Sequence, residues 1–182
     1  MDLDRQRRAG EGRYARTERE QRWALARLLN GLTEPTAIVD RYLIGTRLRL
    51  RRADTGSGVV YKLGQKVRPD EASPELVKLT NIYLSDAEYQ VFGRLPAREL
   101  RKTRWRLPAG SRHLVVDEFH DHLAGLVLAE VELAPGEAFH RPPANPAIDV
   151  THDDRFSGGR LSAASRAEIR ELLAAVAVAV EH

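Results

Sequence analysis

Arg47-Leu48-Arg49-Leu50-Arg51-Arg52 decides the reading of this chain. Leucine and arginine alternate with period 2, the period at which a β-strand sends successive side chains to opposite faces. One face is apolar and the other cationic. The same segregation recurs elsewhere. Lys62 and Lys66 share a parity over residues 61–66, and Lys102, Arg104 and Arg106 share one over 101–107. Glu130 and Glu132 share one over 126–133, and Glu18, Glu20 and Arg22 share one near the start. Strands that face water mix signs and include Thr, Ser and Gln. Faces that carry mostly one sign per strand predict strands that meet around something polyanionic, with carboxylates at hand for metal ions.

The 182 residues fit one domain with enough length to bury a core. Composition is that of a soluble globular protein, 42% hydrophobic and 30% charged, with a net charge of only +3. The whole molecule is therefore not a general nucleic-acid binder; the placement of charge matters instead. Cations concentrate at 41–68 and 98–106, acids at 117–132 and 149–154. With no cysteine there are no disulfides, thiol chemistry or zinc–thiolate sites, which suits a reducing compartment. Residues 1–16 are basic and polar, without the apolar run of a signal peptide. No run approaches the length of a membrane span. These features predict a cytoplasmic protein with a flexible lead-in at 1–16 and a single domain over 17–182.

Along the chain, strands are expected at 18–25, 37–42, 47–52, 59–66 and 76–84, and a meander at 99–107, 113–119 and 125–133. Gly45 marks a bend between two of them, and residues 54–58 make a hairpin turn. A short helix is expected at 24–32, ended at Asn30-Gly31. Residues 68–74 read as a polar loop. Ser85-Asp86-Ala87-Glu88 is a capping-box pattern that predicts a short helix ending before Pro96, with Tyr89, Phe92 and Leu95 turned inward. Residues 134–146 read as a proline-rich surface loop. A C-terminal helix starting at Ser162 or Ser165 carries Ile169, Leu172, Leu173 and Val176 as a stripe. The sum is α+β: seven or eight antiparallel strands able to close into a barrel with a polar lumen, flanked by helices. The leucines of residues 47–52 then lie outside, under helices, and the arginines inside.

Arg49, Arg51, Lys62, Lys66, Lys102 and Arg104 form the basic set. Arginine forks grip phosphate oxygens in pairs and lysine acts as a point charge, so cations on neighbouring strands suit a chain of phosphates. Glu18 and Glu20, and Glu130 and Glu132, project in pairs, with Asp117 between them in sequence. Oxygen-only ligands suit Mg²⁺ or Mn²⁺, and carboxylates beside cations equally suit structural ion pairs. His120-Asp121-His122 has the look of a metal pair but lies in a turn between strands, where histidines face solvent. Asp153-Asp154-Arg155 with Gly158-Gly159 reads as a turn, paired glycines supplying positive φ. There is no Walker motif, G-x-S-x-G or Rossmann fingerprint.

Taken together, these segments resemble the CYTH family, the triphosphate tunnel metalloenzymes. The family signature E-x-E-x-K is matched by Glu18-Arg19-Glu20-Gln21-Arg22. Further matches, in the family's order from about residue 17 to 162, include Asp40-Arg41-Tyr42, Arg47-Leu48-Arg49-Leu50-Arg51, the segment from Tyr61 to Lys66, Lys102-Thr103-Arg104, Val116-Asp117, Glu130-Val131-Glu132 and the segment from Val150 to Phe156. The resemblance implies an antiparallel eight-stranded β-tunnel, closed or nearly so, with flanking helices. It implies metal-dependent hydrolysis of tripolyphosphate, thiamine triphosphate or a nucleoside triphosphate inside that tunnel. Carried over by motif, Glu18, Glu20, Glu130 and Glu132 hold Mg²⁺ or Mn²⁺, with Asp117 assisting. Arg49, Arg51, Lys66, Lys102 and Arg104 hold phosphates, and Arg22 and Tyr42 orient the attacking water.

The signature lysine is Arg22 here. A guanidinium stays protonated at any working pH and cannot accept a proton from water, so the substitution predicts binding with weakened turnover. The partner expected is a small triphosphate or inorganic polyphosphate, with no membrane and no specific nucleic acid, acting on a monomer or homodimer. The rivals are a module that binds triphosphate or polyphosphate without turning it over, and an adenylate cyclase.

Overall fold

The computed structural model describes residues 14–68, 75–110, 112–144 and 146–180. Nine strands, β1 (Arg16–Leu25), β2 (Thr33–Leu43), β3 (Leu48–Asp54), β4 (Val59–Val67), β5 (Leu76–Leu84), β6 (Ala97–Ala109), β7 (Arg112–Phe119), β8 (Val127–Glu132) and β9 (Ala147–Asp149), carry three helices, α1 (Asp86–Phe92), α2 (Gly158–Ala163) and α3 (Arg166–Val180). The sheet order is β5-β4-β3-β2-β6-β7-β8-β1-β9, and β5 also pairs with β1. That extra pairing closes β1 to β8 into an antiparallel eight-stranded barrel, with β9 added beside β1. The first strand makes the closure by dividing its length. Residues 16–19 pair with 76–79 of β5, residues 20–25 with 127–132 of β8, and residues 23–25 also with β9.

Strand alternation then sorts the side chains. Leu50 of β3 is fully buried outside the barrel with Leu43 and Leu63, covered by Tyr89 and Phe92 of α1. Arg49 and Arg51, on the other parity, reach Asp40 in the lumen. The leucines therefore lie under a helix and the arginines point inward, as the alternation requires. A second outer cluster gathers Trp23, Val116, Ala129 and Val131, sealed by Leu28, Leu29 and Leu32. One end of the lumen is apolar: Ala24, Leu100, Phe119 and Leu128 share the inward parity and pack with Phe156, Leu161, Ile169, Leu172 and Val176 from the C-terminal segment. Among the described residues no helix is long and apolar enough to cross a membrane.

The capping box forms as expected. The Ser85 hydroxyl accepts from the Glu88 amide at 3.3 Å, and the Ser85 amide donates to Glu88 Oε2 at 2.7 Å. Of the inward trio on α1, Leu95 fails, being 45% exposed beyond the helix end. Ser165 and Glu168 make the same box for α3. The helix expected at 24–32 is absent. Ala24 and Leu25 belong to β1, and the remainder is a loop whose leucines serve the outer cluster. Packing of three leucines outweighs the helical preference of so short a run. Gly158 and Gly159 do not make a turn with positive φ but open α2, capped by Ser157. Gly158 is needed for close approach, since a Cβ there would come within 2.0 Å of Tyr42 Oη. The polar loop expected at 68–74 falls outside the described residues after Arg68. So does the lead-in up to residue 13, while Arg16 already belongs to β1.

Candidate functional site: the charged lumen

Two aspartates anchor the middle of the lumen. Asp40 on β2 is 1% exposed and faces Arg51 across the ladder. Arg51 grips it as a fork, Nε to Oδ1 and Nη2 to Oδ2, both at 2.6 Å. Arg49 Nε stands 3.6 Å from the same Oδ1, and this buried N–H has no hydrogen-bond acceptor. Gly64 lies opposite Arg49, where a Cβ would come within 2.8 Å of Asn81 Oδ1 and 3.6 Å of Arg49 Nη2. The missing side chain leaves room for the Asn81 amide, while the distance to Arg49 is an ordinary contact. Tyr42, two residues past Asp40, has its phenol pKa raised by burial and by the Asp40 charge. Lys62 lies opposite Arg51, its ammonium 4.9 Å from the centre of the Tyr83 ring.

Asp117 on β7 is the second anchor, also 1% exposed. Arg104, directly opposite on β6, forks onto both its oxygens at 2.8 Å, and Lys102 Nζ lies 2.5 Å from Oδ2. Burial would raise both aspartate pKa values, yet the facing cations hold Asp40 and Asp117 well below the usual carboxylate range. Lys102 responds the other way. Burial pulls its ammonium down to about 8 against the attraction of Asp117, and Arg104 and Arg51 add to the fall.

From Asp117 the network runs toward the rim. Arg104 Nη2 reaches Glu130 Oε2 at 3.3 Å, and Arg22 Nε reaches Glu130 Oε1 at 2.7 Å. Arg22 Nη2 lies 3.6 Å from Glu20 Oε2, and Lys66 Nζ touches both Glu20 oxygens at 2.9 and 3.2 Å. Glu132 lies opposite Glu20, and its ion-pair partner among the described residues is Arg16, at 3.8 Å. Glu18 makes no hydrogen bond or ion pair among the described residues. Burial raises its pKa, and Glu20 and Glu132 push it further up against the pull of Lys66.

The residues carried over as metal-, phosphate- or water-contacting thus lie on inward-facing strand positions, whereas His120, His122 and the segment 153–155 lie outside the strands. Their pairing differs from a cluster of bare cations: Arg51, Lys102 and Arg104 each have a carboxylate partner on a neighbouring strand, and Lys66 of β4 reaches past β5 to Glu20 of β1. Asp117, expected beside a metal, has both oxygens occupied by cations. Asp40 carries the β2–β3 side of the lumen and is not among the residues singled out, although its parity with Tyr42 on one strand signals it. Two further partners lie in the matched segment 150–156 but carry no role in the sequence reading. Thr151 Oγ1 accepts the Arg22 amide at 3.0 Å, and the Phe156 carbonyl accepts from Arg22 Nη1 at 3.3 Å. His120 stays out of the lumen network and shares a 2.8 Å hydrogen bond with Thr103 Oγ1.

Glu18, Glu20 and Glu132 fit a divalent ion in donor type, all oxygen, and in their mutual repulsion, which a cation relieves. Among the described residues, however, no three Asp, Glu, His or Cys side chains converge as a ready-made ligand set. Glu130 is held between two guanidinia.

No protein-family model matches the sequence, and no curated protein matches it. Solved structures do. Two structures of the protein NE1496, one described as hypothetical and one as the inorganic triphosphatase NE1496, superpose with TM-score 0.54 at 22% identity. They cover 81% of this chain and 98% and 95% of their own. The PH1819 protein of Pyrococcus horikoshii matches at TM-score 0.46 and 14% identity, over 87% of this chain and 89% of its own. The closed antiparallel barrel of eight strands is thus a fold shared with a protein described as an inorganic triphosphatase, which is the fold that the resemblance to the CYTH family implies.

Proposed function

We propose that this protein binds a triphosphate in the lumen and hydrolyses it slowly with the help of Mg²⁺ or Mn²⁺. The observation that carries the reading is Arg49. A guanidinium is buried beside a second arginine with an N–H that nothing accepts, and a buried donor without an acceptor costs about 1–3 kcal/mol. A phosphate oxygen supplies the acceptor. Arg49, Arg51, Lys62 and Lys66 would hold the anion from one side, with Lys102 and Arg104 across the lumen. Six cations on β3, β4 and β6 span more than a single phosphate. A divalent ion at Glu18, Glu20 and Glu132 would supply charge neutralisation at the phosphate oxygens.

The water-side chemistry falls to the chain's own groups. Burial lowers the Arg22 guanidinium pKa, but Glu130 and Glu20 outweigh it and the net shift is upward, so Arg22 holds its proton and orients. The Tyr42 phenol, its pKa raised, is a neutral donor. Glu20 beside Arg22 is the carboxylate placed to take the proton as water oxygen bonds to the terminal phosphorus and the diphosphate leaves. Lys66 already engages both of its oxygens and Arg22 stands 3.6 Å from one of them, and this competition with a water supports slow turnover and favours binding without turnover as the second reading.

Phosphate release is to be assayed with tripolyphosphate, thiamine triphosphate and ATP, with cyclic AMP formation from ATP as a separate arm. Tight tripolyphosphate binding with pyrophosphate a much weaker competitor is expected, and Arg22→Lys should raise turnover while leaving affinity within a few fold. Equal competition by pyrophosphate would remove the tunnel reading. Binding with no product from any substrate would leave the non-catalytic module.

A further inference from the structure

Resting on the triphosphate reading above, we infer that the tunnel takes a triphosphate carrying a neutral aromatic ring, a nucleoside triphosphate, and that Tyr83 at the open end of β5 is the platform on which the base stacks.

Strand direction and parity place Tyr83. Ala24 and Leu128 lie at the apolar end of the lumen, so β1 runs inward from Arg16 and β8 runs outward to Glu132. β5 is antiparallel to β1, with Arg16 opposite Leu79. It therefore runs outward, and Tyr83, its last residue but one, stands near the opening. Tyr83 lies opposite Lys62, and Lys62 lies opposite Arg51, whose guanidinium grips Asp40 in the lumen. Residues directly opposite across a ladder point to the same face. Tyr83 is thus on the lumen side, and it is 70% exposed.

The opening is lopsided. The outermost lumen-side residues of β1 and β8 are charged, Arg16 and Glu132. Those of β3, β4 and β5 are Ala53, Val60 and Tyr83. Val60 and Tyr83 leave apolar surface in water beside a tunnel lined with cations. Such a lip has no use for inorganic tripolyphosphate, which is charged from end to end. It suits a ligand with phosphates at one end and a ring at the other, because a base gains by stacking on an aromatic side chain whatever its edge pattern.

The neighbours of Tyr83 fit the rest of such a ligand. Lys62, among the cations assigned to the phosphates, has its ammonium 4.9 Å from the centre of the Tyr83 ring, so the ring site adjoins the phosphate site. Two residues inward on the same face, the exposed Asn81 amide makes no hydrogen bond among the described residues and offers both a donor and an acceptor to sugar hydroxyls. The Lys62 charge beside the ring repels a second cation, which favours a neutral base over the thiazolium of thiamine triphosphate.

The test is calorimetric titration of the intact chain, in Mg²⁺, with ATP, ribose 5-triphosphate, thiamine triphosphate and tripolyphosphate. ATP and ribose 5-triphosphate share the triphosphate ester and differ in the base. ATP should bind at least about fivefold more tightly, the lower end of what one stacked base supplies. Tyr83→Ala should abolish that gain and leave ribose 5-triphosphate and tripolyphosphate within about threefold, whereas Tyr83→Phe, which keeps the ring, should retain it. Equal binding of ATP and ribose 5-triphosphate by the wild type, a gain that survives Tyr83→Ala, or a loss in that variant shared by both ligands would overturn the inference. A gain for thiamine triphosphate equal to that for ATP would overturn the choice of a neutral ring. If tripolyphosphate binds and the base adds nothing, the platform is wrong and the triphosphate reading stands. If none of the four binds, the triphosphate reading itself fails.

Discussion

The middle of the lumen and its rim treat the same kind of charge in opposite ways. Around Asp40 and Asp117 the carboxylates are buried and gripped by arginine forks, with the cations supplied by β3 and β6. At the rim, Glu132 is 62% exposed and Glu18 has crowding acids for neighbours. The difference teaches that a carboxylate in a charged tunnel is read by what already answers it. The middle pairs hold the strands in place and pre-set cations for a ligand. The rim acids remain open to something not in the chain.

The sharpest way to break this contrast is to remove a middle anchor. Asp117→Ala leaves Lys102 and Arg104 buried without their partner, and loss of one member of a buried pair costs about 3–5 kcal/mol. Urea unfolding should show a loss of that size, partly recovered by tripolyphosphate, which replaces the missing negative charge. A loss under about 1 kcal/mol would mean that the middle pairs are not structural.

Acid should act on the same place. Asp40 and Asp117 have native pKa values below the ordinary value of about 3.9. The native state therefore binds fewer protons than the unfolded chain in that range, and their stabilisation is complete above pH 4 and lost progressively below it. Unfolding free energies measured from pH 6 down to pH 2 should fall steeply below 4, and less steeply in Asp40→Asn. An equal slope in that variant would take Asp40 out of the account.

A smaller effect concerns binding. Lys102, with its pKa pulled down to about 8, is charged in the empty lumen below that pH and loses its charge above it. Tripolyphosphate affinity should fall roughly tenfold from pH 7 to pH 9.5, about 1.4 kcal/mol, with proton uptake on binding near pH 8.5. Lys102→Arg should flatten the profile. For folding the sign is reversed: burying this charged ammonium is a liability that eases as pH rises from about 8 towards the ordinary lysine value.

The smallest effect belongs to the rim. Glu132→Gln should change stability by no more than about 0.5 kcal/mol, as for a surface substitution, while weakening Mn²⁺ affinity. A large stability loss would place Glu132 with the middle pairs and erase the contrast.

The parity of a few strands made most of the tunnel legible, because a period-2 pattern with opposite chemistries on its two faces suits a strand between an apolar layer and a charged one and suits no helix. Leu50 and Arg51 alone, one buried under α1 and the other on Asp40, fix which side is inside. What stayed hidden was pairing between strands. Nothing in the local sequence says that Arg104 meets Asp117 or that Arg22 sits between Glu20 and Glu130, since register is a property of two segments together. Gly158 defeats a local reading for a related reason. A glycine that yields space to the distant Tyr42 phenol looks in sequence like a glycine that turns the chain. The 24–32 segment departs from expectation because three leucines with no strong period suit a helix face or a loop that caps a barrel wall equally well.

The divided first strand has a consequence for how the protein comes into being. Gln21 of β1 donates to the side chain of Asp149, 128 residues further along, and β1 takes its neighbours from β5, β8 and β9. As the chain is synthesised, the first strand emerges with its closing partners not yet made, while the β2 to β4 meander can already pair. Such distant contacts slow folding, and an early strand held open is exposed to association with other chains. Refolding should therefore be slow and late in β1, with hydrogen exchange at Gln21 and Trp23 protected last.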